Sequence, residues 1–515
     1  MTLRALPAAV EGYGPLRAFT GVAALPTIFT RAPTRVVPYA RGAAKLLRDI
    51  DAAFDACGIR SGMTLSFHHH LRNGDQVLNQ VLAVAARRGL TNLRIAPSSL
   101  FAVHAPLIEH MRAGVVTSIW TAYAAGPVAD AISRGALATP MVMTTHGGRA
   151  RAIEAGELHI DIAFVAAPAA DAQGNSSGAE GRAACGPLGY AMVDAQHADR
   201  VVAVTDDLRS QPPAQLDIRQ DQVDFVVVVD SIGDPKGILS GTTRPTTEPV
   251  GLQIASTAAQ VIAASGLLID GFSLQTGAGG ISIATSNFVR ELMHERSVVG
   301  SFGAGGVTGA LIDMLEAGLF RNIFDVQAFD LRAVESYRHD PRHLAMSASM
   351  YANPWSRGAL VEQLDAMLLG AAEIDLDFNV NVTTGSNGVI LGGSGGHADT
   401  AAGARLAIVT TRLAANAGPK IVERVRCLTT PGETVDAVVT EAGVAVNPQR
   451  GDLEERLRSA GIEVVAIDAL RARAAALAPQ QAARAAADQE ARVVAVLQYR
   501  DGSVTDVVRQ THAVD

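Results

Sequence analysis

Short runs rich in β-branched residues alternate with helical stretches along most of this chain. This alternation is typical of βα units, which set parallel strands side by side and cover both faces with helices. Helices are predicted over Ala43–Ala56 and Gln76–Ala86. The clearest predicted strands are Met63–Phe67, Asn92–Ala96, Ile160–Ala166, Arg200–Val204, Asp224–Val229, Gly271–Gln275, Val298–Phe302, Glu373–Val382 and Leu406–Thr410. The sequence therefore predicts an α/β protein with largely parallel sheets.

The two halves of the chain resemble each other. The matching pairs are GMTLSFHHH with GFSLQTGAGG, LIEHMRAGVV with LIDMLEAGLF, and DIAFVAAPAADAQGN with EIDLDFNVNVTTGSN. They begin at Gly62 and Gly271, Leu107 and Leu311, and Asp161 and Glu373. Unrelated α/β domains can share such patterns. Three matches in the same order, offset by roughly 204 to 212 positions, nevertheless favour a duplicated unit.

A chain of 515 residues is too long for one hydrophobic core, so two domains are expected. We assign residues 1–40 to an N-terminal arm, 41–235 to a first α/β domain and 236–515 to a second. The linker is expected near Ser231–Pro249, which is rich in Gly, Pro and Thr. The second domain would carry an Ala-rich tail, with a helix over about Leu470–Arg492 and a last strand at Arg492–Leu497.

Composition excludes several classes of protein. A net charge of -8 argues against a general nucleic-acid binder, which needs a basic face. The sequence has neither an apolar run long enough to span a membrane nor the apolar core of a signal peptide. The three cysteines, Cys57, Cys185 and Cys427, lack metal-ligand spacing. We expect a cytoplasmic enzyme with no metal.

The segment SFHHHLRNGD, Ser66–Asp75, follows a predicted buried strand and precedes a helix. Ligands bind at the carboxyl ends of parallel strands, where helix N-terminal amides also face anions. A metal site is disfavoured because consecutive histidines point in different directions. The alternative is a polar loop with structural histidines. We predict an anion site formed by His68, His69, His70, Arg72 and Asn73.

Two further loops carry candidate groups. In TTHGGRARAIEAG, Gly147 and Gly148 would let the backbone approach a ligand, and Arg149 and Arg151 would offer forked donors to a carboxylate or phosphate. The alternative is a glycine turn followed by a solvated basic helix face. The loop AAPAADAQGNSSG from Ala166 could bind through backbone and amide groups, but an ordinary connection explains it equally well.

Three glycine loops occur in the second half: QTGAGGIS, SFGAGGVTG and LGGSGGHADTAAGA. Clustered glycines expose N–H groups that can bind phosphates or an oxyanion, although tight packing turns are the alternative for each. A dinucleotide site is disfavoured, because no acidic residue follows the last loop at the required distance. The predicted binding residues are Gln275, Thr276, Gly277, Gly279, Gly303, Gly305, Gly393, Gly395, Gly396 and His397.

These motifs, together with ACGPLGYAMVDA, NVNVTTGSNGVI and TPGETVDAVVTEAGVAVNP, resemble the alpha subunits of citrate lyase over roughly Ala40–Ile467. The resemblance implies two tandem CoA-transferase-type (NagB/RpiA-like) domains with the active site in the cleft between them. It implies transfer of a carrier thioester from acetate to citrate. The histidine and arginine loops would then bind citrate, and the glycine loops would bind the carrier arm.

The resemblance also implies partners. The thiol would belong to a CoA-like phosphoribosyl-dephospho-CoA arm on the gamma acyl carrier subunit, for which acetyl-CoA is a surrogate. No cofactor would be covalently attached to this chain. A beta subunit would cleave the citryl thioester to oxaloacetate, and we expect an oligomer.

One departure bears on mechanism. Covalent CoA-transferases use a glutamate of the second domain, but Gly300–Gly309 contains none, and the next acids are Asp313 and Glu316. This predicts direct transfer through a mixed anhydride. The alternatives are a covalent CoA-transferase or acyl-CoA hydrolase for another small acid, and a sugar-phosphate-sensing module. The last would need a helix-turn-helix and a single α/β domain, and the sequence has neither.

Overall fold

The computed structural model describes residues 6–22, 28–38, 40, 42–239, 244–416, 418–477 and 490–511. Two large sheets dominate it, which we call the first sheet and the second sheet. They contain ten and eight strands. The predicted α/β class with largely parallel sheets is confirmed.

The first sheet is parallel except at one edge, where the C-terminal hairpin pairs antiparallel. Its central strands are buried on both faces, as the apolar run of Ile162–Ala167 illustrates. In spatial order the strands are Val504–Arg509, Val493–Gln498, Met141–Met143, Val116–Thr121, Leu93–Pro97, Thr64–Phe67, Ile162–Ala167, Arg200–Thr205, Phe225–Val228 and Leu46–Leu47.

The second sheet repeats this arrangement with one antiparallel pair at its end. Its strands, in spatial order, are His343–Ala345, Phe320–Ala328, Gly300–Val307, Ser273–Thr276, Ala366–Gly370, Leu406–Thr410, Ala437–Thr440 and Gly443–Val446. Strand Phe225–Val228 belongs to the first sheet, and the next strand along the chain, Ser273–Thr276, belongs to the second.

Helices cover both sheets. Those of the first half span Ile50–Cys57, Val77–Arg87, Leu107–Arg112, Pro127–Ser133, His146–Glu154 and Gly189–His197. Those of the second half span Pro249–Ala264, Gly280–Glu295, Gly309–Glu316, Leu331–His339, Ala348–Ala352, His397–Gly403, Gly451–Ser459 and Ile467–Leu477. Among the residues described, no helix is both long and apolar enough to cross a bilayer.

The helix predicted over Ala43–Ala56 is shorter than expected. Leu46–Leu47 instead forms an edge strand parallel to Phe225–Val228. The helix begins only at Ile50, because the Asp49 side chain accepts a hydrogen bond from the amide of Ala52 and caps it.

The prediction of one continuous strand over Glu373–Val382 is wrong, and the reason reveals the internal repeat. Asp375 accepts the amide N–H of Asn379 at 2.9 Å, which folds the segment into a turn between two short strands. In the first half, Asp171 accepts the amide of Asn175 at 3.0 Å in an equivalent turn. The aspartates are 204 positions apart, so the third sequence match is out of register.

The C-terminal assignment needs a correction. Residues 236–515 were assigned to the second domain, yet Val493–Gln498 lies in the first sheet, parallel to Met141–Met143. The strand prediction there is confirmed, and its apolar residues are buried against the first sheet. Of the predicted tail helix, Ile467–Leu477 is helical and 478–489 lies outside the described residues.

Candidate active site

A cavity of about 460 Å³ lies between the two halves, where strands of both sheets end. Thr64–Phe67 leads to its histidine and arginine wall, and Ser273–Thr276 leads to its glycine wall. This is where parallel sheets place ligands. The predicted residues that line it are His69, Arg72, Gln275, Thr276, Gly277, Gly279, Gly393, Gly395, Gly396 and His397.

Arg72 provides the cavity's positive charge. Its guanidinium lies between two aromatic rings, 5.0 Å from the centroid of Phe101 and 4.9 Å from that of Phe329 in the second half. Its backbone has φ 51°, a left-handed conformation that a side chain such as arginine adopts at a cost. Burial lowers the pKa of Arg72 to about 10, which leaves it charged at neutral pH. A desolvated, ring-clamped guanidinium is a strong carboxylate receptor.

Two histidines pack on Tyr190 in the cavity wall. The ring centroid of Tyr190 is 4.8 Å from that of His69 and 4.6 Å from that of His146. Burial lowers the pKa of His69 well below its ordinary value, and burial with the charge of Arg149 lowers that of His146 to about 3. Both rings are therefore neutral at physiological pH and act as hydrogen-bonding groups rather than charges.

His68 and Arg149 do not line the cavity, contrary to the predicted citrate contacts. Both bind the wholly buried carboxylate of Asp194: Arg149 makes two hydrogen bonds of 2.7 Å, and His68 Nε2 lies 3.1 Å away. A further Arg149 bond of 2.7 Å goes to the carbonyl of Ala96. Burial alone would raise the pKa of Asp194, but Arg149 and His68 hold it below its ordinary value. These groups stabilise the first half instead.

His70, Asn73, Gly147 and Gly148 also lie outside the cavity lining. His70 is buried, and burial lowers its pKa well below the ordinary value. The Asn73 side chain accepts the amide of Val103 at 3.0 Å. A Cβ on Gly147 would lie 2.0 Å from a backbone oxygen of the second half, so this glycine permits close packing rather than ligand approach.

Gly303 and Gly305 are strand residues and not part of a loop. Both belong to Gly300–Val307. A Cβ on Gly303 would meet Ile323 at 2.8 Å, and one on Gly305 would meet the Gln275 side chain at 2.4 Å. The two glycines make room for neighbouring side chains. The alternative weighed for this motif, a packing role, is the one the structure favours.

The second half supplies amide and hydroxyl groups. Gln327 donates to the backbone oxygen of His69 at 2.8 Å, and Gln275 donates to the Tyr351 hydroxyl at 2.7 Å. Within the described part of the chain, the side-chain oxygen of Gln275 and the hydroxyl of Thr276 have no hydrogen-bond partner. Both residues line the cavity, so these atoms are candidates for contact with a ligand.

His397 lines the cavity but its ring is already engaged. One nitrogen lies 2.7 Å from the Thr430 hydroxyl and the other 2.9 Å from the carbonyl of Gly370. Burial lowers its pKa to about 4. The ring therefore forms part of the wall, and we do not expect it to donate to a ligand.

Several lining residues were missed by sequence reasoning: Ser99, Phe101, Tyr123, His146, Tyr190, Gln327, Phe329 and Tyr351. His146 could have been found, because Thr145 before it is a helix-capping residue, and ligands bind at helix N-termini. Aromatic residues such as Phe329 give no comparable signal in a single sequence.

Apart from Arg72, no arginine, lysine, aspartate or glutamate appears among the described residues that line this cavity. A larger groove of about 880 Å³ lies elsewhere, at the edge of the first sheet, and residues 34–38, 40 and 43–45 form part of its lining. It contains none of the predicted site residues. The cavity between the halves is therefore the candidate active site.

Comparison with known proteins gives a consistent picture. The family model "citrate lyase, alpha subunit (CitF)" matches residues 43–511. The citrate lyase alpha chain of Escherichia coli (strain K12) is 48% identical over 466 residues, 90% of this chain and 91% of its own. That of Klebsiella pneumoniae is 46% identical, covering 92% of each chain.

Solved structures agree. The protein assigned as the citrate lyase alpha subunit of Streptococcus mutans, solved in complex with citrate, aligns with a TM-score of 0.91 at 44% identity over 95% of this chain and 96% of that one. A Pseudomonas malonate decarboxylase aligns with a TM-score of 0.64 at 18% identity, over 85% of this chain and 84% of that chain, and shares the fold alone. This chain belongs to the citrate lyase alpha subunit family.

Proposed function

We propose that this chain exchanges acetate for citrate on a carrier thioester, so that acetyl carrier protein and citrate give citryl carrier protein and acetate. The observation that carries the proposal is the composition of the cavity: one desolvated arginine, neutral hydrogen-bonding rings, and no carboxylate among the described lining residues. The family membership and the citrate bound to the Streptococcus mutans neighbour support it.

Citrate needs several donors, because it carries three carboxylates. Arg72 can bind one of them through its planar fork. His146 and Tyr190 lie together on the same wall and offer neutral donors to the others, whereas both ring nitrogens of His69 are already engaged, at 2.6 Å from the Ser98 hydroxyl and 3.3 Å from that of Ser99. A cavity with one full charge and many dipoles holds a trianion without making its carboxylates unreactive.

The thioester arm would lie along the glycine wall. Gly277 and Gly279 line the cavity immediately before the helix Gly280–Glu295. A helix N-terminus preceded by glycines suits a phosphate or a developing oxyanion. We assign this wall to the CoA-like arm of the gamma carrier subunit, with the beta subunit consuming the product.

The bonds made and broken balance without an enzyme-bound acyl group. A citrate carboxylate oxygen attacks the acetyl thioester carbonyl, the resulting oxyanion collapses, and the thiolate leaves, giving a mixed anhydride. The thiolate then attacks the citryl carbonyl of the anhydride and acetate departs. The protein's contribution is to hold the reactants in contact and to stabilise both oxyanions.

A single assay tests the activity. Purified protein is incubated with acetyl-CoA, standing in for the carrier arm, and citrate, and citryl-CoA and acetate are followed by chromatography. We expect equal amounts of both products. Absence of citryl-CoA under conditions where the protein is folded would overturn the proposed function.

The same mixture tests the mechanism. Samples treated with borohydride or hydroxylamine in the presence of acetyl-CoA are digested and their peptides weighed. Direct transfer predicts no modified glutamate and no loss of activity, because no glutamyl thioester forms. Stoichiometric modification of one glutamate, with parallel inactivation, would show a covalent intermediate instead.

The neutral state of His146 predicts a flat pH response. Since burial and Arg149 lower its pKa to about 3, falling pH adds no charge to the ring between about pH 8 and 7. Asp399, which binds the residues on either side of His146 and whose pKa burial raises to about 6, also stays mostly ionised over this range. We expect the ratio of kcat/KM between wild type and His146→Asn to stay constant over this range, because titration of citrate itself cancels in the ratio. His339→Asn, whose side chain is exposed, serves as control. A ratio that changes between about pH 8 and 7 would contradict the prediction.

A further inference from the structure

His146 occupies the first position of the helix His146–Glu154 and faces the cavity. Its backbone N–H donates to the carbonyl of Gly395 in the second half at 2.8 Å. Its ring packs on Tyr190, and the Nδ1 atom has no hydrogen-bond partner among the residues described. A neutral imidazole at a helix N-terminus is well placed to meet developing negative charge.

A single buried carboxylate binds the residues on both sides of His146. Asp399, from the helix His397–Gly403, accepts the hydroxyl of Thr145 at 2.7 Å and the amide of Gly147 at 2.9 Å. Its side chain is wholly buried. The orientation of His146 in one half therefore depends on a charge supplied by the other half.

That carboxylate has its counter-charge in the C-terminal hairpin. Arg500, in the turn between Val493–Gln498 and Val504–Arg509, places its Nε 3.7 Å from Asp399. The same guanidinium binds Glu362 at 2.7 Å. The Arg500 side chain is 7% exposed, and its contact with Asp399 is an ion pair without a hydrogen bond. Because both groups are desolvated, removing the arginine would leave the buried carboxylate without its counter-charge.

Given the transferase activity proposed above, we propose that Arg500 and Asp399 are positioning residues for His146, whose ring N–H donates to the thioester carbonyl oxygen as it becomes an oxyanion. The hairpin turn then acts on the reaction centre indirectly, through Asp399 and His146. None of the atoms of the turn belongs to that centre. A positional error of about 1 Å in such a donor can lower the rate about a hundredfold. The neutral state of the ring, with its pKa near 3, is compatible with this role.

The central variant is Arg500→Met, which keeps a long apolar side chain and removes the charge. We expect kcat with acetyl-CoA and citrate to fall about tenfold to a hundredfold. The KM for citrate should change by less than about threefold, because Arg72 still binds the carboxylate. A KM effect with unchanged kcat would overturn the proposal.

A double-mutant cycle separates positioning from a general structural role. If Arg500 acts through His146, then Arg500→Met should have little additional effect on kcat once His146→Asn is present. Effects that multiply would show that the two residues act independently and would overturn the proposal. Should Arg500→Met fail to fold, Asp399→Asn enters the same cycle with the same two outcomes.

The matched control lies in the same hairpin. Arg492 binds the carbonyl of Leu137 at 2.8 Å and anchors the strand without reaching the cavity. Arg492→Met should lower the unfolding temperature and leave kcat unchanged. A fall in kcat of the size seen for Arg500→Met would mean that any loosening of the hairpin suffices. Wild-type protein that makes no citryl-CoA would instead refute the proposed function itself.

Discussion

Replacing Arg72 with methionine should raise the KM for citrate about a hundredfold, a loss of about 3 kcal/mol in binding free energy. Arg72 is the one full charge among the described residues lining the cavity, and it is desolvated between Phe101 and Phe329. Methionine can occupy the same space between the rings, so the fold should survive. Initial rates at varied citrate and saturating acetyl-CoA measure the effect, and the KM for acetyl-CoA should stay within about threefold.

Two control variants test whether the effect comes from the Arg72 side chain. Arg72→Lys keeps the charge but not the planar fork, so an intermediate KM is expected. Arg112→Met removes an arginine whose side chain is 64% exposed and should change nothing. Unchanged citrate kinetics in Arg72→Met would remove this residue from the site.

Replacing Arg149 with methionine should destabilise the protein by about 3–5 kcal/mol, because it leaves the buried Asp194 carboxylate without its main partner. The free energy of unfolding is measured from the first transition in urea and compared with that of wild type. Folded Arg149→Met protein should keep a citrate KM within about threefold of wild type. That outcome separates the structural role from the ligand contact that the sequence suggested.

The double variant Arg149→Met/Asp194→Leu tests the cause. Replacing both charges with apolar side chains removes the uncompensated carboxylate, so more than half of the lost stability should return. A double variant no more stable than Arg149→Met would contradict this explanation. So would a large rise in citrate KM in a fully stable Arg149→Met protein.

The elements that the sequence pattern predicts best are buried parallel strands with clear borders, such as Leu406–Thr410, whose bounds the structure reproduces. Short strands such as Met141–Met143 gave too little signal to be predicted. The strand predicted over Glu373–Val382 fails because the local Asp375–Asn379 hydrogen bond competes with β pairing. Hairpin residues Val493–Gln498 could be recognised as a strand from the sequence. Their pairing with Met141–Met143, more than 350 residues earlier, could not.

Only part of the site could be predicted from the sequence, for a similar reason. His69 and Arg72 in one half and Gly277 and Gly279 in the other follow strand ends, and strand ends of parallel sheets converge. Which of three adjacent histidines faces the cavity depends on side-chain direction, and this is fixed only by packing partners such as Asp194. For the same reason Arg149 was wrongly predicted to contact the ligand, since nothing in the local sequence indicates that it binds the distant carboxylate of Asp194.

The placement of the last strands also has a consequence for synthesis. Strand Val493–Gln498 pairs with Met141–Met143, and Val504 bridges Ala18 near the start of the chain. A growing polypeptide therefore presents an unpaired, apolar sheet edge from the synthesis of Met141–Met143 until Val493–Gln498 has left the ribosome. Nascent chains within this interval should be inactive and prone to self-association, and they should need protection by chaperones.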